Sequence, residues 1–182
     1  GRILIRGSQG VGKTRLVSEA VSSFNAERRV LMYEAGQCTL SGHNLPYRPF
    51  VQAIRSRAGI VHDDEASVVM DKIEAIARLW LLRDGEEFAD LRKVTKFLHT
   101  MLDVSQSRHG GDPSSVKEPD VAFVREGFAA YYERILERAP VLMFIDDFMH
   151  ASPQTKELVH FLVQRFADDP YTTILCTRDD TQ

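Results

Sequence analysis

Eight consecutive residues near the start of the chain, Gly7-Ser8-Gln9-Gly10-Val11-Gly12-Lys13-Thr14, carry the spacing G-x-x-x-x-G-K-[ST] in full. The chemistry this suits is the enclosure of a polyphosphate. Glycines reach backbone angles closed to other residues, so successive N–H groups can turn inward onto phosphate oxygens at the positive end of a following helix. Lys13 would neutralise the β and γ phosphates as a point charge, and the Thr14 hydroxyl would take one position in the octahedral shell of magnesium. Gly7, Ser8, Gln9, Gly10, Val11, Gly12, Lys13, Thr14 and the adjoining Arg15 are therefore the expected nucleotide-binding residues, with ATP and Mg2+ as the expected ligands.

A second acidic site stands far along the chain. Asp146 and Asp147 stop the apolar run Val141 to Ile145, where a carboxylate can reach a magnesium ion held at the end of another strand. Asp146 is the expected metal-side residue, acting through a metal-bound water, and Asp147 the residue that orients an attacking water. The competing reading is a pair of carboxylates that solvate a strand end. Arg178, just past a further strand, has the permanently charged planar fork that binds phosphate oxygens, so with Lys13 and Asp147 it joins the catalytic candidates. It could equally be a solvated arginine paired with Asp179 or Asp180. Thr177 is a weaker polar candidate.

Other reactive side chains lack a pattern. The histidines show no metal-like grouping: His62, His99 and His160 have no cysteine or second histidine at ligand spacing, and only His150, four residues after Asp146, falls near the expected site. Cys38 and Cys176 are far apart and are read as two reduced thiols, which points to the cytoplasm. Trp80 sits on an aromatic and aliphatic helical stripe and reads as core. Glu86, Glu87 and Asp90 read as the solvated start of a helix.

The elements that must position these groups alternate. Arg2 to Arg6 reads as a strand buried on both faces, and Leu16, Val17, Ala20, Val21 and Phe24 recur with helical period from Lys13 onward. Val30 to Ala35 reads as a second strand, Gly36 to Pro49 as a loop, and Phe50 to Ala58 as a short helix. Two amphipathic helices follow, marked by Val69, Ile73, Ile76 and Trp80, then by Phe88, Leu91, Leu98 and Met101. Between Asp103 and Pro119 the Ser, Gly, Asp and Pro content predicts a mobile surface loop. Val121 to Ile135 restores a helical stripe, Val141 to Ile145 is a third strand, Pro153 opens another helix, and Thr172 to Thr177 is a fourth strand.

This order predicts an α/β fold of the P-loop NTPase type, a three-layer sandwich with a mostly parallel sheet and right-handed crossovers. Residues 59–119 form a helical insertion and mobile loop between strands two and three. Ligands in such folds bind beyond the carboxyl ends of the strands, which brings Gly7, Asp146 and Thr177 together.

Length and charge set further bounds. With 182 residues and 43% hydrophobic content, one domain is expected. A net charge of -3, from 23 basic and 26 acidic side chains, supplies no positive field for direct nucleic-acid binding or for an anionic membrane. No apolar run is long enough to cross a bilayer, so a soluble chain is expected. It begins at Gly1 almost directly with a strand, and is expected to be an ATPase core truncated at both ends.

Taken together, Gly7 to Leu16, the segment Leu45-Pro46-Tyr47-Arg48-Pro49-Phe50, and Val141 to Pro153 resemble the AAA-like ATPase domains of STAND-type signal-transduction NTPases. Such domains occur within large bacterial regulators, including nucleotidyl cyclases, LuxR-type transcription factors and protein kinases, as nucleotide-controlled switches. The resemblance implies that other domains of a larger parent protein are partners; assembly into oligomers through segments outside this core is left open by the sequence. It places Asp146 and Asp147 at the metal and water positions and Arg178 at the sensor position. Where the family usually has Leu-His-Trp-Ala-Asp-Pro after the paired aspartates, this chain has Phe148-Met149-His150-Ala151-Ser152-Pro153.

Two functions follow as expectations, a slow magnesium-dependent ATPase switch and a nucleotide-binding interaction module with negligible catalysis. A small-molecule kinase ranks lower, because no arginine-rich lid is apparent. A GTPase is disfavoured by the absence of D-x-x-G and N-K-x-D patterns.

Overall fold

The computed structural model describes residues 1–27, 30–40, 46–110 and 119–178. In chain order its elements are β1 (Arg2–Arg6), α1 (Lys13–Ala26), β2 (Met32–Gln37), α2 (Arg48–Ala58), α3 (Ala66–Ile76), α4 (Arg92–Gly110), α5 (Val121–Leu136), β3 (Val141–Asp146), α6 (Pro153–Arg165) and β4 (Tyr171–Thr177). They divide into two compact units, one of Gly1–Phe50 with Ala139–Gln182 and one of Val51–Arg138.

The first unit is a four-stranded sheet in the order β1-β4-β3-β2, with every described pairing parallel. Parallel strands need crossovers, and the helices between them supply these. The valines at 17 and 21 of α1 pack on Phe144, Ile174 and Cys176, beside Ile5, Ala35 and Leu142. Because strand side chains alternate, Val141, Met143 and Ile145 point the opposite way, and they too are buried. The unbroken apolar run of β3 is thus explained by burial on both faces. The expected α/β architecture, a parallel sheet flanked by helices, is present.

Two strand expectations need correction. The β1 strand is not buried on both faces: Ile3 is 49% and Leu4 46% exposed. Among the described residues its sheet neighbour is β4 alone, so it lies at an edge, a position that an apolar run does not encode. The second strand begins at Met32, after the exposed Val30, and continues past Ala35 to Gln37, because its backbone stays paired with β3 until Gln37 stands beside Asp146.

The Pro46 to Phe50 stretch braces this unit. Tyr47 adopts a left-handed φ of 62° and its N–H donates to the Thr155 hydroxyl at 2.9 Å. Thr155 also contacts the Ser152 hydroxyl at 2.9 Å, and Ser152 caps α6 by accepting from the Thr155 N–H at 3.2 Å. On the strand side, a Cβ at Gly36 would collide with the Pro49 backbone, so glycine permits the close approach. Leu45, and the rest of 41–45, lie outside the described residues.

In the second unit, α3 runs into a single π turn, Ala77–Leu81. Carbonyls at its end are taken up by guanidinium groups: Arg138 reaches Leu79 and Leu82, and Arg134 reaches Leu81. Arg83 pairs with Glu137, and Arg134 with Glu86, so Glu86 is an ion-pair partner as well as a solvated carboxylate. Asp120 caps α5 by accepting from the N–H groups of Ala122 and Phe123. Phe97 packs edge-on to Phe128 with ring centroids 4.9 Å apart, over a glycine at 127 whose Cβ would strike the Phe97 ring.

The loop expected from Asp103 is a correction, since α4 continues to Gly110. Extending a formed helix adds one hydrogen bond per residue fixed, so a polar stretch with no proline before Pro113 can remain helical. The remainder of the expected loop, 111–118, lies outside the described residues.

Candidate functional site

The turn after β1 takes the shape its glycines allow. Gly10 and Gly12 have φ of 78° and 100°, left-handed values that side chains disfavour. Gly12 caps α1 and its carbonyl accepts the Leu16 N–H at 2.8 Å. A glycine cap offers no side-chain acceptor, so it does not take up the first-turn N–H groups. The Lys13 ammonium spans the turn, donating to the carbonyls of Gly7 at 2.8 Å and Ser8 at 3.0 Å.

The acidic pair meets this turn. The Thr14 hydroxyl donates to Asp146 Oδ2 at 2.7 Å, and the Asp147 N–H donates to Asp146 Oδ1 at 2.9 Å. Asp147 sits at φ 49°, ψ 43°, a left-handed conformation that aspartate tolerates better than most residues. Its Oδ2 accepts from Gln37 Nε2 at 3.1 Å. Its Oδ1 lies 3.5 Å from Arg178 Nη2, while Arg178 Nη1 donates to Gln9 Oε1 at 3.0 Å.

These residues line an open cleft of about 400 Å3, formed by Gln9, Gly10, Gly12, Lys13, Thr14, Arg15, Asp146, Asp147 and Arg178. Gly7, Ser8 and Val11 belong to the same turn without lining the cleft. Arg178 faces the site rather than bulk solvent alone; its alternative partners Asp179 and Asp180 lie outside the described residues. His150 belongs to a short 3-10 turn, Phe148–His150, and does not line the cleft. The sequence reading missed Gln37, whose only signal was a polar residue ending β2.

The donor set fits magnesium. Among the described residues there is no cluster of three His, Cys, Asp or Glu side chains able to cage a metal. Magnesium needs none, since it binds through one or two protein oxygens and completes its shell with water and phosphate oxygens. The Thr14 hydroxyl and the Asp146 carboxylate, in contact with each other, would supply two such oxygens.

Both cysteines flank the acidic turn as free, buried thiols. The Cys38 N–H donates to the Asp146 carbonyl at 3.0 Å. Burial, aided by the charge of Asp147, pushes the Cys38 thiol up to about 12, and burial with the charge of Asp146 pushes Cys176 up to about 11. Burial thus disfavours the thiolate form of both side chains.

The family model described as the AAA ATPase domain matches residues 1–175, a span that includes the glycine-bearing turn and both aspartates. The chain belongs to the AAA ATPase domain family. No curated protein matches it. As an AAA ATPase domain it is a nucleotide-binding P-loop ATPase module, for which ATP is the implied nucleotide. No helix among the described residues of this AAA ATPase domain is long and apolar enough to cross a membrane.

Proposed function

We propose that this domain binds ATP with magnesium in the cleft, hydrolyses it slowly, and so acts as a nucleotide switch in a larger signalling or regulatory protein of the STAND type. The observation that carries the reading is the 2.7 Å hydrogen bond from Thr14 to Asp146, which joins the glycine-bearing turn to the acidic end of β3. The turn's N–H groups receive the phosphates, and Lys13 exchanges the carbonyls of Gly7 and Ser8 for phosphate oxygens. Thr14 and Asp146 hold the magnesium ion, directly or through water. When bound, that ion supplies positive charge against the phosphate oxygens.

Asp147 orients a water against the terminal phosphorus and accepts its proton. A new P–O bond forms to that water as the bridging P–O bond breaks, leaving ADP and inorganic phosphate. Arg178 faces the terminal phosphate. The reading includes a cytoplasmic setting, other domains of a parent protein as partners, assembly through segments outside this core, and no direct nucleic-acid contact, in line with the net charge of -3. It is tested by measuring phosphate release with magnesium and with a chelator; no release above the chelated control excludes hydrolysis.

A specific observation favours a second reading, an interaction module that binds nucleotide with negligible catalysis. Both carboxylate oxygens of Asp147 are engaged, one by Gln37 and the other by Arg178. A carboxylate so occupied must release one of these partners before it can receive a water. Nucleotide-dependent partner binding without phosphate release would select this reading over the first.

A further inference from the structure

Arg178 follows the last described strand and is half-buried, and long side chains lose considerable rotamer entropy when fixed. Among the described residues, Gln9 and Asp147 hold it here. The contact with Asp147 is loose, at 3.5 Å. The tighter one, 3.0 Å to Gln9 Oε1, comes from the glycine-bearing turn itself. Gln9 is exposed and four residues before Lys13, and both residues line the cleft.

We infer that Gln9 is a positioning residue for Arg178: its side-chain amide oxygen holds the guanidinium at the turn that receives the phosphates, and thereby sets how well the domain distinguishes a nucleoside triphosphate from a diphosphate. The choice of an amide matters. A neutral acceptor orients the guanidinium without cancelling the charge that a terminal phosphate needs, whereas a carboxylate in the same place would compete with that phosphate. Gln9 thus acts through its side chain, in addition to any backbone N–H it offers. The inference rests on the nucleotide-binding reading above.

The test uses the full chain with magnesium, titrating a non-hydrolysable ATP analogue and ADP. Gln9→Ala should weaken the analogue about fivefold and ADP by less than about twofold. Gln9→Glu, nearly the same shape, should also reduce the preference for triphosphate, which a merely steric role would not do. In an Arg178→Ala background, Gln9→Ala should have no additional effect. Equal losses for both nucleotides, a wild-type preference in Gln9→Glu, or additive effects with Arg178→Ala would each overturn the assignment. A wild-type chain that bound neither nucleotide would instead remove the underlying reading, and this inference with it.

Discussion

Thr14 and Asp146, 132 positions apart in sequence, are joined by a 2.7 Å hydrogen bond from hydroxyl to carboxylate. The two oxygens that suit a magnesium ion therefore already converge. Asp146→Asn keeps the shape and removes the charge, and should weaken ATP binding about tenfold with magnesium present while changing it less than about twofold in a chelator. Calorimetric titration under both conditions checks this; equal losses would count against the metal role.

Lys13 donates to two carbonyls of its own turn, so its ammonium is held where phosphates would arrive. Lys13→Ala should lower ATP affinity at least about tenfold. Fluorescence titration with a labelled nucleotide provides the measurement, and unchanged affinity would contradict the assignment.

Asp147→Asn should reduce phosphate release about a hundredfold, with ATP affinity within about threefold of wild type. Undiminished release under saturating ATP would show that another group handles the water.

Ser152→Ala removes the α6 cap and should cost about 1 kcal/mol in urea unfolding. Ser152→Asp should lose less than Ser152→Ala, because aspartate accepts the same N–H, with burial of its charge offsetting part of the cap. The serine standing where the resembling family has aspartate is then a conservative exchange of capping groups. A larger loss for Ser152→Asp than for Ser152→Ala would refute this.

The thiols predict a pH response. Cys38 and Cys176 are raised from 9.0 to about 12 and about 11, in each case mainly by burial. A raised folded value means their contribution is complete below about pH 9 and is lost as pH climbs towards 11 to 12, where the unfolded chain has released protons that the folded chain retains. The urea midpoint should fall from pH 9 upward, and less steeply in a Cys38→Ala, Cys176→Ala variant. Identical pH profiles would exclude the thiols as the source.

Much of the cleft could be read from sequence because its chemistry is local. A glycine spacing, a lysine and a hydroxyl adjoin one another, and the two aspartates announce themselves by ending an apolar run. Gln37 was not legible, since its contact with Asp147 depends on β2 staying in register with β3 two residues beyond the apolar pattern. The edge position of β1 was hidden for a related reason: strand order comes from pairing between distant segments. The role of Tyr47 needed the Thr155 contact, 108 residues away. In α4, composition suggested a break where chain propagation continued the helix.

The backbone at Asp147 also narrows which acid can serve there. At φ 49°, ψ 43° the main chain admits aspartate and asparagine far more readily than longer side chains. A glutamate, though chemically competent as a base, would have to buckle the bend or surrender its aim. The conformation of the chain thus selects the shorter carboxylate at this turn before any reaction is considered.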